Sequence, residues 1–227
     1  MRKNIVAFVP ARAGSKGLPG KNTRLLCGKP LYMHAVDQAR DAGIARIFVS
    51  TDITEILSRD HTDDVTLLAR PATLAGDATP MEPVLLDFLS RYDMRDQIMV
   101  LLQPTSPLRR GADIRGALAL YDMGGFDMVM SVTDHDRAVL KYGVLDGDRF
   151  LPINAPDYSF ANRQSLPPVV RPNGAIYVLG ADWLAANKGL TGGRMAAYRM
   201  SAQDSADIDG PEDFTHCEQR LLERGAD

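Results

Sequence analysis

Short apolar runs that end in a loop and lead into a helical pattern are what most constrain this chain. Ile5-Val-Ala-Phe-Val9 is the first, closed by Pro10. A run this short, without polar alternation, suits a strand covered on both faces, as in a parallel sheet, better than a helix. After an intervening loop, Leu31, Met33, His34, Val36 and Ala39 fall at roughly helical spacing, and Gly43 is placed to stop that helix. Arg46-Ile-Phe-Val-Ser50 opens a second unit, in which Asp52 is positioned to cap a short helix carrying Ile53, Ile56 and Leu57.

The alternation continues. Thr79-Pro-Met-Glu82 has the form of a capping box with proline at the first helical position, and Val84, Leu85, Phe88 and Leu89 supply an apolar stripe behind it. Ile98-Met-Val-Leu-Leu102 is a further buried strand, ending at Gln103-Pro-Thr-Ser-Pro-Leu-Arg109 before a helix over about 113–123. Repeated βα units predict an α/β fold: a mostly parallel, doubly wound, Rossmann-like sheet with helices on both faces. Ligands of such sheets bind at the carboxyl ends of the strands, where the loops at 10–22 and 103–109 both fall.

Beyond residue 128 the pattern turns β-rich. Met128 to Val132 reads as a strand, and Leu140 to Val144 with Arg149 to Pro152, joined by Asp146-Gly-Asp, as a hairpin. Asn154 to Pro172 has no clear period and reads as a long excursion that serves function or contacts a partner. Gly174 to Leu179 returns to the sheet, and helices follow near 182–187 and 211–222. The expected organisation is one domain over 1–227 with an excursion at about 138–172.

A chain of 227 residues, 45% hydrophobic and 24% charged, can bury enough apolar surface to fold. Its net charge of -3, from 26 basic and 29 acidic residues, lacks the basic face that duplex nucleic acid requires. Cys27 and Cys217 form neither a metal-type spacing nor a disulfide framework, which fits a reducing, cytoplasmic setting. No apolar run reaches the length of a membrane span.

The loop after the first strand holds Gly14, Gly17 and Gly20 with Arg12, Lys16 and Lys21. Glycines let backbone N–H groups approach phosphate oxygens, and the cations offset charge that would repel a nucleophile. A solvated basic turn is the bland alternative. The loop is not a Walker A motif, because Ser15 stands where its first glycine belongs and Asn22 where its hydroxyl belongs; nor do its glycines form G-x-G-x-x-G. Asp207-Ile-Asp209 places two carboxylates on one side of an extended segment, suited to a hard cation, although Asp209-Gly-Pro-Glu212 also has the form of a helix cap. His34, His61, His135 and His216 show no metal-type pairing, and no G-x-S-x-G elbow occurs.

Pro10-Ala-Arg-Ala-Gly-Ser-Lys-Gly-Leu-Pro-Gly-Lys-Asn22 resembles the nucleotide loop of the N-acylneuraminate cytidylyltransferases, or CMP-sialic acid synthetases. Further similar segments follow in order: Val49-Ser-Thr-Asp52, Arg70-Pro71 with Leu74 and Asp77, Leu101 to Arg109, Arg171-Pro-Asn-Gly-Ala-Ile-Tyr177, and Gln203 to Asp209. The resemblance spans residues 5 to about 214. It implies a displacement in which the anomeric hydroxyl of a nonulosonic acid attacks the α-phosphate of CTP and expels pyrophosphate, with magnesium, or manganese in its place, as cofactor. Such chemistry needs cations on the triphosphate, a metal bridge and an oriented hydroxyl.

The resemblance also assigns roles. Arg12, Ala13, Gly14, Ser15, Lys16, Lys21 and Asn22 hold the nucleotide and its phosphates, with Arg12 and Lys21 catalytic, and Arg70 and Asp77 lie near the nucleotide. Gln103, Thr105, Ser106, Lys141, Arg163, Arg171, Asn173 and Tyr177 meet the sugar, its carboxylate or the phosphates. Asp207 and Asp209 bind the metal. For Thr105 and Ser106 a plain proline-bounded turn is an equal reading, and for Tyr177 strand packing competes. The excursion resembles the family's dimerisation region, so a homodimer is expected. Leu190-Thr191 stands where relatives have an aromatic pair, which leaves legionaminic, pseudaminic and other nonulosonic acids open. A ketodeoxyoctulosonate cytidylyltransferase and a silent nucleotide-binding regulator are the competing functions.

Overall fold

The computed structural model describes residues 5–14 and 17–225. In chain order, β1 (Ile5–Ala11) leads through a small hairpin, β2 (Leu25–Leu26) and β3 (Lys29–Pro30), to α1 (Leu31–Asp41). Then come β4 (Ile47–Thr51), α2 (Thr54–Leu57), β5 (Val65–Ala69), α3 (Met81–Arg91), β6 (Ile98–Leu101), α4 (Gly111–Asp122) and β7 (Met128–His135). The hairpin β8 (Gly143–Asp146) and β9 (Arg149–Pro152) precedes β10 (Val169–Gly180), α5 (Ala181–Asn187), β11 (Met195–Arg199) and α6 (Pro211–Gly225).

Seven strands form one sheet in the order β11-β7-β10-β6-β1-β4-β5. The pairs β1–β4, β1–β6, β4–β5 and β7–β11 are parallel, while β10 runs antiparallel to both β6 and β7. The mostly parallel α/β expectation is met, with β10 as the inverted member.

β1 shows why the sheet is covered on both sides. Ala7, Val9 and Ala11 pack with Tyr32, Val36 and Ala39 of α1 and Ile114 and Ala117 of α4. The alternate residues Val6 and Phe8 pack with Val84, Leu85 and Phe88 of α3 and Leu184 of α5. A period of two on a strand buried on both faces therefore demands the continuously apolar run seen in the sequence. Phe88 anchors the second face, 5.0 Å from Phe8 and 4.8 Å from Phe48 between ring centroids.

Several local expectations shift. Asp52 does not cap α2, whose N-cap is Ile53 without a side-chain bond. α3 starts after Pro80 rather than at it, and Thr79 gives no cap. α4 begins at Gly111, with the Asp113 carboxylate accepting the Arg110 N–H at 2.9 Å. Residues 169–172, read as part of the excursion, pair with β7 before a bulge between Pro172 and Tyr177. Among the described residues, no helix is long and apolar enough to cross a membrane.

A third, smaller apolar cluster positions the site. Leu18, Leu26, Leu31, Leu108, Ile208, Phe214 and Cys217 pack together, so the glycine loop, the 103–109 turn, the 207–209 segment and α6 share one small core.

Candidate active site

The carboxyl ends of β1, β5 and β6 border a cleft of about 230 Å³. Arg12 and Gly14 enter it from β1, and Lys21 and Asn22 from the 3-10 turn that follows the loop. Arg70 comes from the end of β5, Gln103 and Thr105 from the turn after β6, and Asp207 and Asp209 from the segment before α6.

Backbone contacts hold these pieces together. The Ala13 N–H donates to Asp52 Oδ1 at 2.7 Å, and Asn22 Nδ2 donates to the Arg12 carbonyl at 2.8 Å. Gly20, at φ 66°, makes the left-handed turn that points Lys21 inward. Lys21 Nζ donates to the Ile208 carbonyl at 2.5 Å, and the Ile208 N–H donates to the Thr105 carbonyl at 2.8 Å. Ile208 thus joins three segments through its backbone while its side chain fills the small core.

Gly17 lies against the same segment: a Cβ there would sit 2.1 Å from the Asp209 carbonyl oxygen. Gly17→Ala is therefore expected to push the loop and the carboxylates apart, lowering turnover by about 100-fold, the order of loss for an ångström-scale misplacement. Steady-state turnover beside a thermal melt checks this, with the melt expected to move little.

The charges are arranged rather than scattered. Arg12 pairs with Asp77 at 2.5 Å at the rim. Arg70, expected as a cation near the nucleotide, is 8% exposed and donates to Ser50 Oγ at 3.2 Å and the Ser50 carbonyl at 3.0 Å. Burial lowers its pKa, Asp52 opposes the shift and Arg12 adds to it. Asp207 keeps a solvent-open edge, yet the surrounding protein desolvates it enough to raise its pKa, and Asp209 raises it further; a Thr105 hydrogen bond and Lys21 oppose the shift. The Tyr177 pKa is raised by burial and, less, by Asp207; its half-buried ring packs against the α3 and α5 face and does not line the cleft.

Asp209 is not the cap of α6. Asp213 Oδ2 takes the N–H groups of Asp209 and Gly210 at 3.0 and 2.8 Å, so the Asp209 carboxylate stays with the cleft. Among the described residues no cluster of three or more His, Cys, Asp or Glu side chains could hold a metal by itself. Two mutually repelling carboxylates in a cationic cleft instead fit magnesium, which is usually bound by one or two carboxylates with substrate phosphates and water.

Other expected residues lie elsewhere. Ala13 and Asp77 flank the cleft, and Ser106 lies fully buried beneath it. Lys141 ends the 3-10 helix Arg137–Lys141, Arg163 pairs with Asp136 at 3.1 Å, and Arg171 is exposed on β10 opposite Thr133; none of the three lines this cleft. Asn173 does not line it either, being 4% exposed with its amide bonded to Ser131 and Ser205. Leu190 packs partly buried against the α3 and α5 face, and Asn187 Nδ2 holds the carbonyls of Gly189 and Thr191, both at 2.8 Å. Ser15 and Lys16 lie outside the described residues. The sequence reading missed the anchoring by Asp52, the cap by Asp213 and the burial of Arg109; Asp52 and Arg109 bind backbone groups 39 and 66 residues away, while Asp213 takes N–H groups three and four residues before it.

Comparison with known proteins agrees with this architecture. A family model described as cytidylyltransferase matches residues 6–141. An N-acylneuraminate cytidylyltransferase of Streptococcus agalactiae serotype V is 34% identical over 215 residues, covering 93% of this chain and 52% of that protein. The chain thus spans about half the length of that relative. A CMP-N,N'-diacetyllegionaminic acid synthase of Legionella pneumophila is 33% identical over 226 residues, 96% of each chain. The structure of CMP:2-keto-3-deoxy-manno-octonic acid synthetase complexed with CTP superposes with a TM-score of 0.70 at 19% identity, covering 97% of this chain and 99% of that one, a likeness of fold. With the family model covering more than half of its length and a full-length relative at this identity, the chain belongs to the cytidylyltransferase family.

Proposed function

We propose that this chain transfers CMP from CTP to the anomeric hydroxyl of a sialic-acid-type nonulosonic acid, releasing pyrophosphate. The observation that carries this reading is the meeting in one cleft of Arg12 and Lys21, the Asp207 and Asp209 carboxylates, and the Gln103 amide. The names of the sequence relatives agree with it.

In this reading the cations of Arg12 and Lys21 neutralise the triphosphate, and Lys21 meets the charge that grows at the α-phosphate. Gln103, offering a donor and an acceptor, orients the sugar hydroxyls. The hydroxyl oxygen bonds to the α-phosphorus as the bond to the bridging oxygen breaks; pyrophosphate leaves with that electron pair, and the hydroxyl proton passes to solvent. Magnesium held by Asp207 and Asp209 supplies charge neutralisation across the phosphates when bound.

Pyrophosphate release from CTP with magnesium and a panel of nonulosonic acids tests the reading. Release with none of them would end it, and CTP binding without turnover would favour a regulator. Asp209→Asn is expected to raise the magnesium concentration needed for half-maximal rate by about tenfold, with the melt nearly unchanged because the cap belongs to Asp213.

For the sugar, one observation favours a second reading. The Legionella pneumophila legionaminic acid synthase matches this chain along 96% of both lengths, and Leu190 here turns into its own core. Legionaminic acid belongs in the same panel.

The excursion exposes apolar side chains to a degree unusual for a monomer: Leu145, 77% exposed, and Phe150, 52% exposed, pair across the hairpin, and Phe160, farther along, is 92% exposed. We propose that it forms a homodimer interface, through which Lys141, Arg163 and Arg171 serve the sugar carboxylate. Light scattering at micromolar concentration is expected to give twice the chain mass; a fully active monomer would overturn this.

A further inference from the structure

We infer that Asn173 is a positioning residue that fixes the carboxylate segment against the bulge of β10, rather than a sugar contact. The inference rests on the proposed reading, in which Asp207 and Asp209 hold magnesium.

The hydrogen bonds set the direction of the Asn173 amide without ambiguity. The Ile176 N–H donates to Ser131 Oγ at 2.8 Å, and the Ser131 hydroxyl donates to Asn173 Oδ1 at 2.5 Å. The Ala175 N–H also reaches Oδ1, at 3.2 Å. On the other side Asn173 Nδ2 donates to Ser205 Oγ at 2.9 Å, and the Ser205 hydroxyl donates onward to the Ser201 carbonyl at 2.6 Å. The Ser131 hydroxyl also reaches the Ile176 carbonyl at 3.2 Å, but the Ala175 N–H can only donate, so Oδ1 faces Ser131 and Nδ2 faces Ser205. Both ends of the amide are occupied, and Asn173 and Ser205 are each 4% exposed.

The consequence is mechanical. Three pieces of chain meet at one side chain: Ser131 on β7, the β10 bulge, and Ser205, two residues before Asp207. The bulge carries Gly174 at φ 75°, where a Cβ would lie 3.3 Å from Gln103 Oε1. Moving Asn173 therefore shifts the metal carboxylates relative to Gln103, the spacing on which bringing nucleotide and sugar together depends. A buried amide with every partner satisfied is suited to hold such a spacing, because any displacement leaves a donor or acceptor unpaired.

Manganese serves as the probe. Its binding to the protein with CTP, followed by electron paramagnetic resonance, is expected to weaken by about 10-fold or more in Asn173→Ala and equally in Ser205→Ala, with the double variant no worse than either single one. In parallel, pyrophosphate release should show kcat reduced in both and the sugar-acid KM nearly constant. Asn173→Ala that raises only the sugar-acid KM, leaving manganese affinity at the wild-type value, would overturn the inference, as would additive losses in the double variant. A fall in melting temperature with unchanged kinetics and manganese binding would also overturn it. Wild-type protein that releases no pyrophosphate with any sugar acid is a different result, and it counts against the proposed reaction instead.

Discussion

Lys21→Ala is expected to lower kcat by about 100- to 1,000-fold while the KM for CTP rises only roughly threefold, the pattern of an interaction made chiefly in the transition state. Lys21 is 8% exposed, and its ammonium is held in place by the Ile208 carbonyl. A charge fixed this way needs no reorganisation as negative charge develops on the phosphates, whereas a mobile surface lysine would bind substrate and transition state alike.

The tie to Ile208 raises a second route by which the substitution could act, through displaced carboxylates. The two routes differ in their magnesium dependence. Loss of the charge alone leaves the magnesium requirement near the wild-type value, while movement of Asp207 and Asp209 raises it. Ile208 is also held by the Thr105 carbonyl and by its buried side chain, so the segment is expected to stay in place and the requirement to stay constant. Lys21 also lowers the Asp207 pKa against burial and Asp209. Its removal lets that pKa rise, so Asp207 is protonated at higher pH and the acid limb of the rate profile moves upward. An unchanged kcat would remove Lys21 from the chemistry.

How far the sequence reaches depends on whether a residue acts near itself in the chain. β1, β6 and α1 were legible because their apolar runs and spacings are local, and the glycine loop was legible because glycines and cations fall together after a buried strand. β5 and β11 were not. Met195-Ala-Ala-Tyr-Arg199 has no strong strand signature and becomes a strand by pairing with β7. At the site, the residues of the cleft came from motifs read in order along the chain, but their supports did not. Asp52 was read as a cap because capping is a local pattern, whereas its carboxylate receives an N–H from the glycine loop. Asp209 and Asp213 are both acidic residues at a helix start, and only the folded geometry assigns the cap to one and the cleft to the other. Asn173 looked like a pocket residue because its neighbours in sequence carry the sugar-site resemblance; its burial follows from the bulge in β10.

Arg109→Ala is expected to destabilise the fold by about 3–5 kcal/mol, the upper range for a single substitution. Arg109 is 2% exposed, and burial pushes its pKa down to about 9, which still leaves it charged at neutral pH. Among the described residues no carboxylate pairs with it directly, although the charge of Asp113 favours it. Its guanidinium instead donates to the Ala175 carbonyl, to the Gln103 carbonyl at 3.3 Å and to Gln38 Oε1 at 2.7 Å, bracing the 103–109 turn against β10 and α1. Alanine leaves these acceptors short of a donor and opens a cavity among close-packed neighbours. Methionine fills most of the volume and also removes the cost of burying a charge, which offsets part of the lost hydrogen bonding. Arg109→Met should therefore lose less, about 1–3 kcal/mol. For a chain of this size the alanine loss corresponds to a melting temperature lowered by about 10 °C, with methionine in between. If the two variants melt together, volume is irrelevant and the hydrogen bonds alone matter; if methionine equals or exceeds the wild type, the guanidinium does not brace the fold. Activity supplies the last discrimination: Gln103 hangs from this turn, so Arg109→Met, though largely folded, is expected to raise the sugar-acid KM more than the KM for CTP.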